Sequence, residues 1–219
     1  MNDRPTAITV VPTTHEHARR LADMQSLIFP TLTPEELLRE EHFLKHISLF
    51  PEGQFTALVR AHGKWIVAGS TTTFLTTWDF VQKPHTFLEA IDGGWLTNHN
   101  PQGDWMYGAD ISVHPDFRGL GVGSKLYAAR AAAARRLNLR GEVAGGMLPG
   151  YHRHRGQMSI ERYVEKVSAG ELHDPTLSMQ IKNGFVVRGI LYNHITDPRA
   201  DNCAALIVRE NPHYNRVGV

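Results

Sequence analysis

The stretch whose reading decides the fold is HPDFRGLGVGSK (114–125), which runs without a break into the alanine-rich LYAARAAAARR ending at Arg136. Gly119, Gly121 and Gly123 alternate with Leu120 and Val122 directly ahead of a helix-forming run. Glycine adopts positive φ without penalty and lets backbone approach a ligand closely. Successive N–H groups at a helix start form a cradle for an anion. The stretch therefore reads as a phosphate-holding turn between a strand, WMYGADISVHP (105–115), and the helix that follows. A tight turn with no ligand is the alternative that glycine also serves.

Working outward, ITVVPTT (8–14) reads as a strand. The next segment places Ala18, Leu21, Met24 and Ile28 on one helical face. Thr33, Pro34 and Glu36 have the spacing of a capping box and predict a helix from Thr33 to about Phe50, where PEG (51–53) stops it. QFTALVRA, the turn HGK and WIVAGSTTTFLTT predict a β-hairpin. Residues 79–103 are irregular and aromatic. On the helix after the glycine loop, Leu126, Ala129, Ala133 and Leu137 form a narrow face suited to a sheet, with Arg130, Arg135 and Arg136 expected toward water. GEVAGGML (141–148) predicts a strand. Ser159 is expected to cap a short helix ending near Gly170. Asp174-Pro175 opens another, stopped by Asn183-Gly184, and two β-rich runs close the chain. The order suggests an α/β chain of the α+β type: one domain over 1–219, with a mixed, mostly antiparallel central sheet flanked by helices.

Composition narrows the function. Lys plus Arg is 23 against 22 for Asp plus Glu, so no charge excess points to nucleic acid or a membrane surface. No apolar run is long enough to span a bilayer. The N-terminal MNDRPTAITVVP lacks the basic and apolar regions of a signal peptide. The single cysteine, Cys203, precludes an internal disulfide, fits a reducing, cytoplasmic setting, and sits in the apolar run CAALIV as a buried small residue. His42/His46 and His152/His154 lack further ligands at sensible spacing, so no metal is expected.

Two of three phosphate loops fail on spacing. The nucleoside-triphosphate loop needs Gly-Lys-Ser/Thr, and here Ser124 precedes Lys125. The dinucleotide fingerprint needs a third glycine where Ser124 stands. Arg118-Gly119-Leu120-Gly121-Val122-Gly123, preceded by Val113-His114-Pro115, resembles the loop of the GNAT superfamily of N-acetyltransferases. IKNGF (181–185) is similar to the helix end that leads into that superfamily's sixth strand. HFLKHISLFPEGQ, TNHNPQGDWMYGADISVHPDFRG, GGMLPGYHRH and RYVEKV together resemble the GNAT domain that some bacterial proteins carry ahead of a carbon–nitrogen hydrolase (nitrilase-like) domain. The sequence stops at Val219, with no room for that hydrolase.

The resemblance implies a GNAT-like fold that binds acetyl-CoA (coenzyme A) and transfers the acetyl group to a primary amine of a small molecule or peptide by direct attack. Backbone groups of Ile111, Ser112 and Val113 would hold the pantetheine arm. Arg118, Gly119, Leu120, Gly121, Val122, Gly123 and Ser124 would hold the pyrophosphate. It leaves open a homodimer and a functional link to a carbon–nitrogen hydrolase. Many members place a tyrosine acid four residues before the glycine of Gly-Phe; here that position is Gln180. Tyr107, Tyr151 and His152 become the candidate proton-handling residues. Tyr107 is expected on one face of its strand with Trp105, Ala109 and Ile111, and Asp110 on the other. Residues 149–173, with Trp78, Phe80 and Trp95, are expected to shape the acceptor pocket. A non-catalytic acyl-CoA-binding module is the competing reading, because the usual acid is missing.

Overall fold

The computed structural model describes residues 7–215; part of the N-terminal stretch read above for a leader lies outside them. The strands are β1 (Ala7–Pro12), β2 (Phe55–Ala61), β3 (Lys64–Thr76), β4 (Trp105–Val113), β5 (Gly141–Met147), β6 (Val186–Leu191) and β7 (Ala204–Glu210). The helices are α1 (His15–Ile28), α2 (Glu40–Leu49), the single turns α3 (Trp78–Val81) and α4 (Phe87–Ala90), α5 (Val122–Arg136), α6 (Ile160–Ser168) and α7 (Leu177–Lys182). The strands form one seven-stranded sheet in the order β1-β2-β3-β4-β5-β7-β6. Only β4 and β5 pair in parallel.

Each element follows from local chemistry. His62 (φ 51) and Gly63 (φ 74) both take positive φ, as a two-residue hairpin turn between right-twisted strands requires. Helices cover both faces of the sheet. On one face Ala18 and Leu21 of α1 and Phe43 of α2 pack with Phe74, Trp105, Tyr107 and Val143. On the other, Val122 and Leu126 of α5 pack on Ala57, Val59 and Ala68. Tyr163 and Val164 of α6 and Leu177 of α7 join Ala144, Ala205 and Ile207 on that same side. Cys203 is buried, as its apolar run predicted.

Three sequence expectations are corrected. The helix predicted from Thr33 begins at Glu40. The Thr33 N–H does donate to Glu36 Oε2 (2.9 Å), but Glu36 Oε1 accepts from Thr196 N–H, and Leu38 N–H donates to the Gln25 amide of α1. The Gln25 contact takes a backbone N–H that a growing helix needs, and the Thr196 contact anchors the Glu36 side chain. Arg130, expected in water, is 1% exposed, because Glu142 of β5 lies against it. Third, the β3–β4 register shifts between Thr72 and Thr73, leaving Ala109 as an extra residue on β4. This bulge reverses the alternation. Tyr107 stays on the α1 face, but Ile111 and Val113 pack with Val122 and Leu126 on the α5 face, while Ser112 turns to Ser70.

Candidate active site

β4 and β5 separate midway along the sheet. They pair only from Trp105–Gly141 to Gly108–Ala144. Beyond that, β4 continues with β3 to Val113 and β5 continues with β7 to Met147, so a wedge opens between them. The bulge at Ala109 sits at the apex, where it turns β4 aside. His114 N–H donates to Ala68 O of β3 (2.8 Å). Since successive residues address opposite edges, Ile111 and Val113 turn their backbone groups into the wedge.

The glycine loop stands at the mouth. Gly119 (φ 76) and Gly121 (φ 85) lie in the left-handed region, and Gly121 is the N-cap of α5. No side chain caps this helix and its first turn carries no acidic residue. Its first N–H groups therefore lack intrahelical acceptors and attract negative charge. Arg118 Nε donates to Val113 O (3.3 Å), which holds a guanidinium beside the cradle. Leu120 is exposed, and Ser124 Oγ accepts from Asn183 of the α7 end (3.3 Å).

On the α5 face a cluster of polar side chains lies beside β5: Arg130, Tyr127 and Gln180, with Glu142 and Arg209. Arg130 lies flat against Gly108, so close that a Cβ there would collide with its guanidinium. Its Nε is 2.9 Å from Glu142 Oε2 but not aimed at it, and its Nη2 has no partner. Arg209 grips the other Glu142 oxygen at 2.5 Å. Tyr127, one helical turn from Arg130, has Arg130 Cζ 5.3 Å and Arg209 Cζ 5.7 Å from its ring centroid. Gln180 Nε2 donates to the Tyr127 hydroxyl (3.2 Å), and its buried Oε1 is unpartnered. That oxygen lies 2.5 Å from where a Gly146 Cβ would be.

On the α1 face the groups are different. His85 Nδ1 lies 2.7 Å from Lys83 O, so Nδ1 carries the hydrogen and Nε2 accepts from the Tyr107 hydroxyl (2.9 Å). His194 Nδ1 donates to His85 O (2.9 Å). Its Nε2, left as the acceptor nitrogen, is 2.5 Å from where a Gly145 Cβ would be. Burial pushes His194 down to about 4, so the ring is neutral at neutral pH. Burial alone raises the Tyr107 phenol above its ordinary value. Asp110 lies beyond the bulge near Ser112, Gln25 and Ser70, and burial pushes it up to about 7 against those donors and Arg130. A hollow of about 220 Å³ lined by Glu36, Thr86, Asn193 and Asn202 leads to His194.

The remaining candidates lie after β5. The Tyr151 ring packs on Tyr163 and its hydroxyl donates to Met158 O (3.0 Å). His152 is exposed, with Nδ1 2.6 Å from Pro149 O. Asp174 caps α7 through Thr176 and Leu177 N–H and ties down Gly150 N–H and the Tyr163 hydroxyl. Among the described residues no cluster of metal-binding side chains occurs. His85, His194, Tyr127 and Arg130 were missed as site residues. Gly145-Gly146, two adjacent glycines inside a strand, was the available signal, because such glycines mark close approach from either face.

A sheet wedged open beside an uncapped glycine-loop helix sets an anion cradle at the mouth of two parted strands. The sequence pattern of the acetyltransferase (GNAT) family matches residues 19–145, and the chain belongs to that family. It is 31% identical to the uncharacterized N-acetyltransferase YkwB of Bacillus subtilis (strain 168) over 96% of this chain and 92% of that protein. It is 37% identical to the probable hydrolase YhcX of the same organism over 88% of this chain, spanning only 36% of that longer protein. The fold is shared with the GphF GNAT-like decarboxylase solved with isobutyryl-CoA (TM-score 0.73, 18% identity, 93% of this chain and 99% of that one).

Proposed function

We propose that the chain transfers the acetyl group of acetyl-CoA to a primary amine of a small molecule or peptide. The observation that carries this reading is the wedge, with β4 parted from β5 beyond Gly108 on one side and the bare N-terminus of α5 at its mouth. The residues fit the donor. The α5 N–H groups and Arg118 suit a pyrophosphate, and positive φ at Gly119 and Gly121 shapes the turn. The β4 edge suits the amides of a pantetheine arm. The isobutyryl-CoA complex of the structural relative is consistent with a coenzyme A donor.

Acetyl-CoA supplies an activated acyl carbonyl. The protein supplies position and proton traffic. An alkyl amine with a pKa of about 10.4 is mostly protonated at neutral pH, a handicap of roughly 4–5 kcal/mol unless a base helps. The α1 face offers a hydrogen-bond acceptor that orients the amine rather than a strong base, since a ring lowered to about 4 holds a proton poorly. His194 is neutral, with a lone pair aimed at β5 just past the apex, and the Tyr107–His85 pair fixes its neighbourhood. The hollow at Glu36 and Asn193 provides the acceptor's approach. Tyr107 acts here through His85. Tyr151 and His152, at the exit of β5, remain the acceptor-loop candidates.

Titration calorimetry with acetyl-CoA tests the donor assignment. Wild type binds it. Gly121→Glu loses at least 100-fold in affinity, through like-charge repulsion at the cradle, with a thermal melt lowered only by the strain of its positive φ. Equal affinity in the two proteins sinks the assignment.

A further inference from the structure

The Tyr127–Gln180 pair is buried and incompletely satisfied on both partners. The Tyr127 hydroxyl accepts from Gln180 Nε2 at 3.2 Å and donates to no atom among the described residues. Gln180 Oε1 accepts from none. A buried donor or acceptor left unused costs about 1–3 kcal/mol. Here the unused acceptor lies against Gly146, where β5 has already parted from β4, and the unused donor is on the hydroxyl 3.2 Å from the same amide's nitrogen. A ligand in the wedge that brings an acceptor and an N–H a few ångströms apart satisfies both at once.

The cysteamine end of coenzyme A has that pattern, with an amide N–H and a sulfur separated by two methylenes. We propose that Gln180 Oε1 accepts from this amide N–H, and that Tyr127 donates its hydroxyl hydrogen to the sulfur and protonates it as it leaves. This rests on the acetyl-transfer reading above. The step balances. The amine lone pair forms the C–N bond, the C–S bond breaks with its electron pair going to sulfur, and the phenol proton passes to sulfur. The phenolate regains a proton from the one shed at nitrogen, by way of water.

The surroundings of Tyr127 keep its phenol protonated and available as a donor. Burial raises it above its ordinary value, and Glu142 adds to that rise, while Arg130, the hydrogen bond from Gln180 and Arg209 offset part of it. Tyr107 has no cation beside it, and its hydrogen is already given to His85. The hydroxyl absent from position 180 of α7 is thus supplied from α5, and Gln180 positions it.

The test compares CoA with desulfo-CoA by titration calorimetry. Wild type is expected to prefer CoA about tenfold. Tyr127→Phe, which keeps the ring and its packing, is expected to bind the two within twofold of each other. In thiol-release assays with a turned-over amine, Tyr127→Phe lowers kcat about 100-fold, with KM for acetyl-CoA changed less than threefold. Tyr127→Phe/Gln180→Tyr, which returns a hydroxyl to α7, recovers at least tenfold of that loss. Gln180→Leu lowers affinity for CoA and desulfo-CoA alike, through the amide. A preference for CoA that survives in Tyr127→Phe overturns the assignment. Wild type that binds CoA without discriminating against desulfo-CoA overturns it alone, whereas wild type that binds neither overturns the acetyl-transfer reading as well.

Discussion

Gly145 and Gly146 are neighbours on β5, yet the groups that cover them belong to different chemistries. Over Gly145 on the α1 face lies His194, a neutral imidazole with His85 and Tyr107 behind it. Over Gly146 on the α5 face lies Gln180, with Tyr127 and the Arg130–Glu142–Arg209 cluster behind it. In the proposed reaction one face presents a neutral imidazole acceptor and the other a hydroxyl donor, with two glycines of β5 between them. On the proposed reading, an acceptor would reach the acyl carbon from one side of the wedge while the thiol departs on the other.

The contrast breaks first where charge is buried. Glu142→Ala leaves Arg130 unpaired in the core and is expected to cost about 3–5 kcal/mol in urea unfolding. A loss under 1 kcal/mol would mean that the cluster is hydrated. On the opposite face, Asp110→Asn is expected to stabilise. The folded carboxyl titrates at about 7 against 3.8 in the unfolded chain, so the folded state holds the extra proton between those values. Its contribution is lost as pH rises through 7, and the gain from asparagine appears at pH 8, about 2–3 kcal/mol, and vanishes at pH 4. His194 and His46, both lowered to about 4, carry the opposite sign: unfolding takes up protons between 4 and 6.5, so their contribution falls as pH drops through that window.

Smaller changes separate the two faces. Gly145→Ala displaces His194 and Gly146→Ala displaces Gln180, each from a contact of 2.5 Å. Each is expected to cost about tenfold in kcat. The first alters the dependence on amine, and the second the affinity for CoA. Identical profiles would dissolve the distinction between the faces. Tyr107→Phe leaves His85 Nε2 without its donor and is expected to cost about 1 kcal/mol of stability.

Much of this was legible in the sequence. The glycine loop, the strand ahead of it, the hairpin at His62-Gly63 and the Asp174 cap are local devices, and each lies where its residues direct. Two long-range effects were not legible. The bulge at Ala109 moves Ile111 to the other face, and nothing in WMYGADISV marks the extra residue, because it is set by pairing with Thr72 and Thr73 of β3. Arg130 looked like a solvated helix residue because its partner, Glu142, comes from the next strand. His85 and His194 meet across more than a hundred residues, brought together by α4 and the β6–β7 connection rather than by any motif. At Gln180 the sequence shows only that no hydroxyl is present; the Tyr127 hydroxyl proposed in its place comes into view only through the packing of α7 on α5.

The most direct test is to follow free thiol from acetyl-CoA while the protein is offered a panel of primary amines, from polyamines and amino sugars to peptide N-termini. The account predicts saturable thiol release that depends on at least one amine and disappears in Gly121→Glu. Tight acetyl-CoA binding with no amine-dependent thiol release would contradict it and make the chain an acyl-CoA-binding module.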